Sequence, residues 1–166
     1  MKRSMIVATA GALVVAPAAS ADVMGDLSRA GACWTRTYDA AHLRAHPAQT
    51  VTRVSLMSMN SVPGQAKNVR GVVFGMRQRP GNELSVASAE CRASGAGARC
   101  TAQMDAGAFR FDSRPKGVLR LTVAGSLQLE RMSGDYTANL ASSDDRVFDL
   151  SPAPTSACRA ETLSSN

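Results

Sequence analysis

His42 and His46 are the only histidines in the chain, and they follow Asp39 in the pattern D-x-x-H-x-x-x-H. On a helix these three positions share one face. Two imidazoles one turn apart can chelate zinc or copper, and Asp39 would be a third ligand. The set lacks the glutamate that follows the first histidine in an H-E-x-x-H metalloprotease. A solvent-facing turn explains the same residues without chemistry: Asp39 is a good N-cap, Ala40 and Ala41 favour helix, and Pro47 stops it.

Other routes to catalysis are thinly marked. There is no G-x-S-x-G nucleophile elbow, and no serine stands out. Asp144 and Asp145 are paired carboxylates, but neighbours along a strand point to opposite faces. They read as a solvated turn before Arg146, not as a glycosidase pair. The expectation is a protein that is not an enzyme, with no catalytic residues and no cofactor.

The four cysteines, Cys33, Cys91, Cys100 and Cys158, point to a framework instead. No C-x(2–4)-C pair suggests zinc, and no C-x-x-C suggests a redox centre. The N-terminus fits export. A basic Met1-Lys2-Arg3 start precedes an uncharged, largely apolar run and the small-x-small site Ala19-Ser20-Ala21. This predicts a signal peptide over residues 1–21 and a single domain over 22–166. The apolar run is shorter than the ~20 residues of a spanning helix. A periplasmic or secreted protein with an even number of cysteines is expected to be disulfide-bonded.

The stretch CRASGAGARC, residues 91–100, supplies one pairing. A two-residue loop at Gly95-Ala96 sets Ser94 opposite Gly97, Arg92 opposite Arg99 and Cys91 opposite Cys100. The cysteines then form a non-hydrogen-bonded pair, close enough for a bond. Glycine first in the loop suits a type II′ turn. Cys33 and Cys158 remain to tie the first strand to the last, although two other connectivities are formally open. On the chain-entropy model the long loop contributes about 4–5 kcal/mol and the short one about 2.7.

Charge narrows the partners. The 19 Lys and Arg less Lys2 and Arg3 leave 17 against 13 Asp and Glu, a net +4 spread along the chain. No basic block or aromatic-basic interleaving marks a nucleic-acid surface. No stable membrane insertion is expected either. The partner is an unknown protein or a small apolar ligand.

The elements that must position these residues are mostly strands. A lead-in with one helical turn covers 22–32. Strand candidates follow at 33–38, 50–59 and 69–79, the last with Val72, Phe74 and Met76 on one face; 61–68 is a loop and 80–82 a turn. Parity places Ala98, Cys100, Ala102 and Met104 with Phe109 and Phe111 if the connecting loop is Ala106-Gly107, which sets Met104 opposite Phe109. Leu119, Leu121 and Val123 pair with Leu127 and Leu129 through 124–126, or Gly125 bends one long strand. Leu84 and Val86 have the opposite parity to Cys91, so either a bulge intervenes or both faces are covered. The strand at 146–150 is last, and the tail is expected to be irregular, pinned at Cys158. Eight or nine short strands in succession predict an all-β fold. The choice is a single antiparallel β-barrel of about eight strands, with one short helix after the first strand and two disulfides. Met57, Met59, Met76 and Met104 would line its interior, either as a ligand cavity or as a filled core.

The stretches CWTRTYDAAHLRAHPAQTVT, CRASGAGARCTAQMDAGAFRF and DDRVFDLSPAPTSACR resemble a family of small exported bacterial proteins of unknown function. That resemblance implies a single secreted domain and brings no activity with it. Ser133-Gly134-Asp135-Tyr136 is similar to the S-G-x-x-Y recognition loop of periplasmic lysozyme inhibitors of the membrane-bound/C-type class, one residue short of it. That resemblance implies a disulfide-bearing β-barrel whose loop, with Ser133 and Tyr136 foremost and Lys116 or Arg131 as helpers, enters a lysozyme cleft. The same four residues also suit an ordinary hairpin turn.

Overall fold

Alternating burial builds the sheet. The computed structural model describes residues 22–59, 66, 68–131, 134, 136–140 and 144–162. Its strands are β1 (Cys33–Thr37), β2 (Val51–Ser58), β3 (Val69–Gln78), β4 (Leu84–Ser94), β5 (Gly97–Ala102), β6 (Ala108–Ser113), β7 (Leu119–Val123), β8 (Ser126–Leu129), β9 (Tyr136–Asn139) and β10 (Val147–Ala153). Eight of them close an antiparallel barrel in the order β1-β10-β7-β6-β5-β4-β3-β2, and β8 and β9 form a separate two-stranded ribbon. First and last strands meet, as expected, with Cys33 opposite Ala153. Three helices accompany them: α1 (Val23–Leu27), α2 (Ala40–Ala45) and α3 (Thr155–Thr162). The expected signal peptide, and all of loop 61–68 except Ala66 and Asn68, lie outside the described residues.

The barrel interior is packed. Trp34 sits opposite Leu56, and Leu56 opposite Phe74, so one inner layer crosses three strands. Phe109, Phe111, Phe148, Leu119, Leu121 and Leu150 fill much of the rest. Trp34 keeps its indole N–H satisfied by donating to the Gly117 carbonyl at 3.1 Å. Helix α1 adds Val23 and Leu27 to this cluster, at the end where β1 begins.

Both disulfides form as spacing and parity suggest. Cys91 and Cys100 face each other across the β4–β5 hairpin, with Cα atoms 4.0 Å apart, inside the barrel. Gly95 takes φ +59°, as the first position of a type II′ turn requires. Cys33 bonds Cys158 at a Cα separation of 5.9 Å. It pins α3 against β1, β2 and β3. The tail is therefore not irregular: β10 runs on to Ala153 and α3 follows, with the Thr155 hydroxyl donating to the Gly31 carbonyl.

Three register expectations change. The β5–β6 connection is longer than two residues: Cys100 faces Phe109, Thr101 faces Ala108, and Gln103–Asp105 forms a 3-10 turn. The shift is even, so the buried face is preserved, but Met104 is thrown out to 86% exposure. Strand β7 does not pair with β8; it lies between β6 and β10, and β8 pairs with β9. The β3–β4 register runs without a bulge, so Val86 lies on the outer face of β4, which is covered at that end and exposed at Glu90 and Arg92. Beyond the reach of β5, Val86 and Glu130 exchange backbone hydrogen bonds at 2.9 and 2.8 Å. The ribbon thereby continues the wall, and Leu127, Leu129 and Ala138 point into the core. Of the four methionines assigned to the interior only Met76 is in the core; Met57 is half-buried and Met59 exposed.

Candidate functional site

The barrel opens at its seam. Strand β1 pairs with β10 only as far as Thr35–Ser151, yet continues to Thr37 against β2. Past that point α2 stands beside the parted strands. Asp39 starts the helix by accepting the His42 amide at 2.7 Å, as an N-cap should. Arg79 ends it. Its guanidinium donates to the carbonyls of Leu43, His46, Pro47 and Gln49 at 3.3, 3.0, 2.9 and 2.8 Å. These carbonyls belong to the helix end and the turn beyond it, where the His46 carbonyl also accepts the Gln49 amide at 3.1 Å, and a cation satisfies such carbonyls well.

Held in this way, α2 lays a ladder of flat groups along the seam. The Tyr38 and His42 rings stack at 4.7 Å, and the His42 and His46 rings at 4.3 Å. The Arg36 guanidinium lies 4.9 Å from the Tyr38 ring centroid. Burial pushes the Tyr38 phenol above its ordinary value, against the opposing pull of Arg36, so it stays a protonated hydroxyl at neutral pH. Across the opening, Asp149 accepts two 2.7 Å hydrogen bonds from Arg120. Those bonds outweigh the cost of partial burial and hold its carboxyl below the usual range. Together Arg36, Tyr38, His42, His46, Asp144 and Asp149 line a cleft of about 410 Å³. Val147, an exposed apolar residue, lies on its wall.

A buried polar network, a floor to this end of the barrel, adjoins the cleft at Gln49. Asp145 is wholly buried, not part of a solvated turn. Its carboxylate accepts from the Thr50 amide and hydroxyl and from the Val51 amide. Gln78 donates to the Thr50 hydroxyl at 3.1 Å, and the Arg131 guanidinium contacts both Gln78 and the Ser85 hydroxyl. Gln49 Oε1 accepts from His42 Nε2 at 3.0 Å, and its amide N–H donates to the Val51 carbonyl. The sequence marked His42 and His46 but neither Tyr38 and Arg36 nor this floor. Its one signal was two adjacent aspartates, of which one faces in.

For a metal the arrangement is unfavourable. Imidazole lone pairs lie in the ring plane, and the His42 and His46 planes are stacked within 24° of parallel, so the nitrogens do not converge. Asp39 spends its carboxylate on the helix end. Among the described residues no group of three or more His, Cys, Asp or Glu side chains is placed to hold a metal ion.

The other sequence-marked residues lie elsewhere. Ser133 and Asp135 are outside the described residues. Gly134 is exposed with φ +116°, its amide donates to the Arg131 carbonyl, and Tyr136 begins β9 opposite Leu129. Gly134 and Tyr136 thus lie where β8 gives way to β9. Lys116 is exposed in the turn before β7, whereas Arg131 is engaged in the floor.

The chain matches no protein-family model, no curated protein and no solved structure. Its two disulfides indicate an oxidising, extracytoplasmic environment. No helix among the described residues is long and apolar enough to cross a membrane.

Proposed function

We propose that this is a non-enzymatic binding protein, exported to the periplasm or secreted, whose ligand sits in the seam cleft. The observation that carries the reading is the Tyr38–His42–His46 ladder beside Arg36, with Arg79 holding the helix end and Gln49 bonded to His42. A rigid, partly exposed row of planar groups favours stacking against a flat molecule, while Arg36, Asp144 and Asp149 favour hydrogen bonds at its rim. The filled interior turns the reading away from an apolar ligand within the barrel and toward a small polar molecule with one flat face. The N-terminal signal pattern and the disulfides support export. The test is an NMR titration with the low-molecular-weight fraction of the protein's own periplasm. Resonances of Tyr38, His42 and His46 should move together. Shifts confined to other surfaces, or none, would sink the reading.

A second reading is inhibition of a lysozyme-type cell-wall hydrolase. It is favoured by the position of Gly134 and Tyr136 where β8 gives way to β9, in a ribbon outside the barrel order. Unchanged lysozyme activity at molar excess of the protein would exclude it.

A further inference from the structure

The outer wall of β4, β5 and β6 carries a row of like charges. Arg92 lies directly opposite Arg99, and Arg99 directly opposite Arg110. Directly opposed residues share a face. The neighbouring Cys91, Cys100 and Phe109 point into the core, so all three arginines point out. Their Cβ atoms are about 5 Å apart in such pairs, and like charges there destabilise a sheet. The two outer arginines have partners. Arg110 is held on Asp112 at 2.8–2.9 Å. A side chain at Gly97 would crowd that contact, its Cβ falling 2.7 Å from the Asp112 carboxylate. Arg92 has a looser partner in Glu90 at 3.6 Å. Arg99, between them, has no hydrogen-bond or ion-pair partner among the described residues. It borders a shallow groove of about 440 Å³ with Arg92, Ser94, Thr101 and Gln103, and Glu90 lies directly opposite Thr101.

We infer that this row is a binding site for a phosphate-bearing anion, centred on Arg99. A multivalent oxyanion would relieve the repulsion along the row, accept from more than one guanidinium at once, and take the Ser94 hydroxyl at the groove edge. Glu90 disfavours an anion spread over the whole groove and confines it to the Arg99 side. The site lies on a different wall from the seam cleft and does not depend on it.

The test uses sodium tripolyphosphate by calorimetry at low ionic strength, with phosphatidylglycerol vesicles in a parallel sedimentation arm. Wild type should bind tripolyphosphate. Arg99→Gln should weaken binding about tenfold or more, and Arg159→Gln, which removes an equal charge from exposed α3, should not. Arg99→Gln should also raise the thermal midpoint without ligand, showing that the variant folds and that the repulsion is real. Co-sedimentation lost in Arg99→Gln would identify a lipid headgroup as the source; tripolyphosphate binding alone would identify a soluble one. No binding in either arm, or equal weakening by Arg159→Gln, would overturn the inference.

Discussion

Asp145 and Thr50 are joined twice, the carboxylate accepting the Thr50 amide at 2.6 Å and its hydroxyl at 2.7 Å, across 95 residues of chain. The contact fixes the approach to β10 against the start of β2, next to Asp144 and Gln49 of the cleft wall. Asp145→Ala would leave the Thr50 and Val51 amides without their acceptor in a buried place. We predict a loss of about 3 kcal/mol, or a fall of about 10 °C in thermal midpoint, measured by circular dichroism. A change within a degree of wild type would show that the contact does not fix the approach to β10.

Arg79 acts on the same site through α2. Four carbonyls accept from its guanidinium. Arg79→Ala should cost about 2 kcal/mol and release the helix, so the ring-current shifts of His42 and His46 should collapse toward free-histidine values. Preserved shifts in a destabilised variant would mean that the ladder is held by its own stacking.

The two disulfides should differ in weight. They close loops of 125 and 9 residues. Cys33→Ala/Cys158→Ala should therefore destabilise by about 4–5 kcal/mol and Cys91→Ala/Cys100→Ala by about 2.7. Denaturant midpoints of the two double variants give the comparison. Equal losses would mean that native packing, not loop closure, sets the contribution.

A shallow acid sensitivity should come from Asp149. Arg120 lowers its carboxyl in the fold, so the pair stabilises the protein at neutral pH, and that contribution fades as pH falls through the folded value. Both side chains are more than a third exposed, so the effect is small. The thermal midpoint of Asp149→Asn should lie below wild type at pH 7, with the gap closing below about pH 4. A gap independent of pH would assign the effect to packing instead.

How far the sequence went follows from the range of each interaction. The 91–100 hairpin was legible to the residue because a turn glycine and strict alternation act locally. The closing of β1 on β10 was legible because only two cysteines were left to pair. The β5–β6 loop was misjudged because alternation fixes parity, not length, and an even shift leaves the same faces buried. Leu127 and Leu129 carried the right pattern, yet a pattern does not say which strand lies alongside. Their partner is β9, and their place in the wall comes from Val86, some forty residues earlier. Asp145 was hidden for a similar reason: its burial depends on Thr50 and Val51, which no local signal connects to it.

The most direct measurement is native mass spectrometry of the protein purified gently from its native source, with a denatured spectrum alongside and a Tyr38→Ala/His42→Ala variant treated in the same way. Two disulfides set the denatured mass about 4 Da below the fully reduced chain. The account predicts an additional small mass in the native spectrum of wild type that is absent from the variant. A bare wild-type chain, or a ligand retained equally by the variant, would contradict the seam cleft as the binding site.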